Sequence, residues 1–131
     1  MSKDSSKARN ASVEKHAKIC KKILNTSDSI RYVGTINKYG RTVAGFIRSG
    51  TQPMLGREQA KNEFFVLSTI LSISQDAEDY IGKMEHMLVT HEKVKMVLIP
   101  VETIAYIVTI SGSKDDYMSV IESAKKIIIE Q

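Results

Sequence analysis

The sequence has a single cysteine, Cys20, which excludes an internal disulfide. No apolar run approaches the ~20 residues that a membrane-spanning helix needs. The longest, Met96-Val97-Leu98-Ile99-Pro100-Val101, is strand-sized and is interrupted by a proline. The first ten residues are polar and small and contain no apolar leader core, so a secretory signal is not expected and a cytoplasmic location is. Glycine never falls into a GxxxxGK[ST] or GxGxxG pattern, the sequence form of a backbone cradle for phosphate. There are three histidines, His16, His86 and His91, too scattered to supply the roughly four convergent ligands of a zinc site.

What is present describes one compact domain. Apolar residues make up 42% of the chain and charged residues 26%, enough for a single core in 131 residues. The net charge of +4 is unevenly placed: residues 1–24 carry seven Lys/Arg and two acids, and the remainder carries twelve Lys/Arg and thirteen acids. The basic character therefore belongs to the first segment and not to the body of the domain. Residues 1–11 read as a disordered basic tail, and residues 12–131 as the domain.

Hydrophobic spacing predicts the elements. A helix from near Ser12 carries Val13, Ala17, Cys20 and Leu24 on one face, widened by Ile19 and Ile23, with Lys15, Lys18, Lys21 and Lys22 outside the stripe. Asn25 to Asp28 end it. Ile30 to Asn37 reads as a strand with Ile30, Tyr32, Gly34 and Ile36 on one face. A turn at Gly40, which supplies the positive φ of a bulged hairpin, leads to a return strand, Arg41 to Arg48. Val43, Ala44, Phe46 and Ile47 place apolar groups on both faces of that strand, the pattern of a central or doubly covered strand. A second helix starts near Gly56 or Arg57 and runs to about Gly82. Three strands follow, Glu85 to His91, Val94 to Ile99 and Thr103 to Ser111. Ser113 to Asp116 form the capped start of a last helix, whose inner face carries Tyr117, Val120, Ile121, Ala124, Ile127 and Ile128.

The second helix is the most distinctive element. Ala60, Phe64, Leu67 and Leu71 form one apolar stripe, and Val66, Ile70, Ile73, Ala77 and Ile81 form another roughly 110° away. Ser68, Thr69, Ser72 and Asp76 line the other side, where Phe65 stands alone. One sheet cannot cover both stripes, so a second molecule is expected on the outer one.

Turns this short make the strands antiparallel. The expected class is α+β, order α-β-β-α-β-β-β-α. A five-stranded antiparallel sheet carries the middle helix on one face and the terminal helices on the other. This order resembles the roadblock, or dynein-light-chain-type, superfamily, related in architecture to longins and profilins. The segments Ile30 to Gly45 and Glu92 to Met96 look like those of an archaeal family of small roadblock-like proteins. The resemblance spans about residues 12–129. It implies a homodimer paired through the middle helix and the neighbouring strand, carried over onto Phe64, Val66, Ile70 and Ile73; Ala77 of the outer stripe is expected at the same interface, and Phe65, from its own place on the polar side, is a possible partner contact. It also implies a domain without catalytic residues or cofactors, serving as a scaffold or as a platform for small Ras-like GTPases.

Other readings of the same residues are weaker. Single-strand nucleic-acid binders interleave aromatics with basic residues, and the basic segment contains none. A small-molecule sensor of the PAS or GAF type needs a cavity between sheet and helix, which Ile30, Tyr32, Tyr106 and Phe46 are expected to fill. His86 and His91, five apart on one strand, point to opposite faces and read as edge histidines. Cys20 lies in the apolar stripe and reads as a buried small hydrophobe rather than an activated thiol. Gly34 and Gly45 within strands suggest close approach of a helix or a bulge. Asp76, Glu78 and Asp79 read as a solvated helix end rather than acid–base machinery. Glu63 falls on the apolar side of the helix; it either pairs with an Arg such as Arg57 or with a second subunit, or reaches solvent at the helix start, the favoured reading.

Overall fold

The computed structural model describes residues 3–112 and 116–130, with side chains from Ala11 onward. The described residues form α1 (Lys3–Leu24), β1 (Ile30–Asn37), β2 (Thr42–Ile47), α2 (Arg57–Gln75) and α3 (Glu78–Ile81), then β3 (Met87–Thr90), β4 (Val94–Val101), β5 (Ile104–Ser111) and α4 (Tyr117–Ile129). The five strands make one sheet in the order β2-β1-β5-β4-β3, every neighbour antiparallel. β5 lies at the centre between β1 and β4, and both of its faces are largely buried.

The sheet has two unequal sides. On one, Ile19, Cys20 and Ile23 of α1 and Val120, Ile121 and Ala124 of α4 pack with Ile30, Val33, Tyr106, Val108 and Ile110 into the main core. On the other, Leu67 of α2 packs with Ile36, Met96, Leu98, Ala105 and Ile107, flanked by Phe64, Leu71, Met87 and Val89. The middle helix and the terminal helices thus lie on opposite faces, as the element order predicts.

Several details depart from the sequence pattern. Arg31 is an extra residue in β1: Ile30 pairs with Ile110 and Tyr32 with Thr109. This bulge reverses the alternation, so Ile30 joins Val33 on the α1/α4 side. Tyr32 and Ile36 stay on the α2 side, and the expected common face of Ile30, Tyr32, Gly34 and Ile36 is split. β2 is an edge strand, not a central one. Its apolar residues on both faces are accounted for differently: Phe46 packs on the main core, under the Lys21 ammonium, which lies 5.1 Å from its ring centroid, while Ile47 is exposed. α1 begins at Lys3 rather than near Ser12; Lys, Ala and Arg are good helix formers, and neither Gly nor Pro interrupts the segment. α2 ends at Gln75, capped at Asp76, and the short α3 follows, so the helix expected to reach Gly82 is broken. Of the expected capped start of the last helix, residues 113–115 lie outside the described residues. Asp116 is its N-cap, but its side chain makes no capping bond and instead accepts hydrogen bonds from the hydroxyls of Ser27 (2.7 Å) and Ser29 (2.9 Å).

Arg48 fastens the junction of α1 and β1. Its guanidinium donates to the carbonyls of Leu24, Ser27 and Ile30, each at 2.6 Å. Carbonyls at a helix C-terminus lack partners within the helix, and here a side chain from the next hairpin supplies one.

Candidate functional site

Helix α2 is bound to its own domain by one narrow stripe. Leu67 and Ser68 are its buried residues. Helical spacing predicts Ser68 on the polar side. Its hydroxyl donates to the Phe65 carbonyl at 2.8 Å, an internal partner that makes burial of the small side chain inexpensive. The β1–β2 turn presses on the helix at Gly40, which has φ +80; a Cβ there would lie 2.7 Å from the Phe64 carbonyl oxygen and the Phe65 Cα. The turn therefore requires glycine twice, for its backbone conformation and for its approach to α2.

Beyond that stripe the helix is uncovered. Val66, Ile70 and Ile73 are 51%, 41% and 65% exposed, and Phe65, off this row, is 59% exposed. Tyr80 and Ile81 of α3 are exposed as well. Ala77, between the two helices, is half-buried. Phe64 differs from the others: it is half-buried and turned to the sheet, its ring stacked on Tyr32 with centroids 6.3 Å apart. Of the residues that the resemblance assigns to pairing, Val66, Ile70 and Ile73 lie together on one exposed row, while Phe64 is directed inward, in keeping with its place on the first stripe.

The N-terminal half of α2 stands off from the sheet. Between them opens a cleft of about 690 Å³, bounded by β1, β2, the loop of residues 49–56 and the first turns of α2. Two glycines let its floor lie low. Gly34 and Gly45 are cross-strand partners, and a Cβ on either would lie within 2.3 Å of the Tyr32 hydroxyl. The Tyr32 ring therefore lies down on the sheet over both instead of standing up from it. Burial raises the Tyr32 phenol above its ordinary pKa, partly offset by a hydrogen bond with Thr42. The close approach expected at these glycines is thus by a tyrosine of the same strand, neither a helix nor a bulge. The cavity that large residues were expected to fill is open: Ile30, Phe46 and Tyr106 all lie on the opposite side of the sheet. For Ile30, strand alternation could not show this, because the Arg31 bulge decides which side it joins.

The other chemical candidates have structural settings. His16 Nδ1 lies 2.8 Å from the Tyr106 hydroxyl; burial, then the Lys15 charge, lowers the His16 pKa. Cys20 is fully buried, and burial pushes its thiol up to about 12, the opposite of an activated nucleophile. Glu63 is not paired with Arg57 among the described residues; its side chain is 34% exposed, and its carboxylate lies 4.0 Å from Nε2 of the half-exposed His91, beyond the end of β3. Among the described residues no group of three or more His, Cys, Asp or Glu is placed to hold a metal ion, and no helix is long and apolar enough to cross a membrane.

The sheet order, the placement of α2 opposite α1 and α4, and the edge hairpins define a roadblock-like fold. Solved structures with that fold agree. The Roadblock/LC7 domain from Streptomyces avermitilis superposes with a TM-score of 0.66 at 8% identity, covering 87% of this chain and 92% of that one. The gliding protein MglB from Thermus thermophilus gives 0.65 at 12% identity, covering 92% and 93%. A structure described as MglB with a tetrameric arrangement gives 0.64 at 12% identity, covering 92% of each chain. At these identities the likeness establishes the fold. No protein-family model matches the sequence, and no curated protein matches it.

Proposed function

We propose that the protein is a non-enzymatic, homodimeric regulatory or scaffolding domain that pairs through the outer row of α2 and serves as a platform for a small Ras-like GTPase. The observation that carries the reading is the exposed row of Val66, Ile70 and Ile73, with Phe65, Tyr80 and Ile81 exposed elsewhere on α2 and α3. Contiguous apolar patches of this kind mark interaction surfaces. β3, the strand that follows α2 and α3, is a sheet edge, so a second copy meeting it could extend the sheet as it covers the helix. Self-association of a protein with this fold is supported by the tetrameric arrangement described for MglB. The GTPase as partner class is an extension from the resemblance to roadblock domains.

Sedimentation tests the dimer. A species of twice the 14.6 kDa chain mass is expected at micromolar concentration, with an interface on the order of 1,600 Å² in total. A monomer throughout would overturn the pairing. Titration with a Ras-like GTPase, in its GDP form and with a GTP analogue, tests the platform. A complex that discriminates between the two forms is expected, and equal or absent binding in both would remove the GTPase from the reading.

A further inference from the structure

We infer that the cleft between β1, β2 and the first half of α2 binds an anionic amphiphile: a single apolar chain ending in a carboxylate or phosphate. The argument rests on the cleft and its charge, and is independent of how α2 pairs. At about 690 Å³ the space falls within the roughly 300–1,000 Å³ of small-molecule sites. Its lining is mainly apolar. Tyr32 lies along the floor with Met96, and Phe64 and Ala60 of α2 and Met54 and Leu55 of the loop close over it. Met and Leu adapt their shape to a flexible chain, and none of them offers the fixed hydrogen-bonding edge that a nucleobase would need.

The charged groups around this apolar space are all of one sign. Arg31, Arg41, Arg57 and Lys61 line it, with no acidic residue among them. All four come from residues 31–61, which carry six Lys/Arg and one acid, Glu58; the fold gathers four of those six around the cleft and leaves Glu58 outside it. Among the described residues none of the four is in an ion pair. Arg31 is placed by the bulge in β1, and its guanidinium donates to the Gln52 carbonyl at 2.8 Å. That contact fixes its plane while other N–H groups remain for an oxyanion, whose geometry a guanidinium matches in pairs. An apolar trough with unpaired cations around it complements a molecule that is apolar along its length and negative at one end.

The carboxylate of a free fatty acid and the phosphate of a monoacyl lipid share this chemistry. Calorimetric titration of the full chain with dodecanoate and, separately, with lysophosphatidate, each below its micelle-forming concentration, distinguishes the two sources; dodecanol is the uncharged control. At least one anion is expected to bind, at least about tenfold more tightly than dodecanol, with the preference shrinking as salt screens the cations. The double variant Arg57→Gln/Lys61→Gln, changed only at exposed positions, should weaken anion binding about tenfold, whereas Lys126→Gln on α4 should not. Gly45→Val should lift the Tyr32 ring into the cleft and weaken anion and alcohol alike. Circular dichroism establishes that each variant is folded. Absence of binding by both anions at millimolar concentration, dodecanol binding as tightly as they do, or anion binding unchanged in the double variant would each overturn the assignment.

Discussion

The two faces of the sheet are built from similar residues and finished differently. On the α1/α4 side, Ile23, Ile30, Ile110 and Ala124 are fully buried, and two amphipathic helices close over the strands, with Arg48 holding the end of α1 to β1. On the other side a single helix covers part of the sheet, one apolar row faces outward and a cleft remains beneath its first turns. The apolar surface that stabilises the monomer is concentrated on the first face. That left exposed on the second is available for binding, since burial against another molecule is favourable in proportion to the apolar area removed from water.

Substitutions can break this comparison. Ile110→Ala on the closed face should cost about 2–5 kcal/mol in urea unfolding, while Ile73→Ala on the open face should change monomer stability by no more than about 0.5 kcal/mol. Equal costs would mean that the two faces are not distinct. Ile70→Glu places a charge in the outer row. It should leave the circular dichroism unchanged and shift sedimentation to monomer, because an unpaired charge in an interface costs several kcal/mol and dissociation returns it to water. A variant that stays dimeric would move the pairing surface elsewhere.

Gly40→Ala sharpens the boundary between the faces. It forces an L-residue to φ +80 against the α2 backbone and should cost about 1–3 kcal/mol, with loss of hydrogen-exchange protection concentrated around Phe64 and Phe65. At alkaline pH the closed face should weaken through Cys20. Its thiol ionises near 9.0 when unfolded and near 12 when folded, so its contribution is complete below about pH 9 and is lost as pH rises toward 12. Cys20→Ala should flatten the pH profile in that window. The smallest effect is at acid pH. The native His16 pKa is depressed below 6.5 by burial and by Lys15, so its contribution is present above that value and declines as pH falls through it. His16→Gln should reduce the loss of melting temperature between neutral pH and pH 5.

Much of this architecture is legible in the residues. Apolar positions at helical spacing place α1, α2 and α4, and the short turns dictate an antiparallel sheet. The double stripe on α2 is plain because Val66, Ile70 and Ile73 repeat at three and four residues, a local pattern that needs no knowledge of the rest of the chain. The cleft is not legible in that way. Gly34 and Gly45 signal a close approach without saying that Tyr32 makes it, and Arg31, Arg41, Arg57 and Lys61 are spread from position 31 to position 61, on β1, the turn after it and α2.

The sequence by itself determined the elements, their order and the surplus apolar face of α2, because helical and strand periodicities are properties of neighbouring residues. Only the tertiary structure decided that β2 is an edge, that one inserted residue sends Ile30 and Tyr32 to opposite sides, and that α2 stands off from the sheet at its start. The physical reason is that these depend on register and contact between segments far apart in the chain. A one-residue bulge reverses which face every neighbouring side chain joins. Two glycines paired across strands let a tyrosine lie flat, so space that a larger side chain would fill is left open beside four cations.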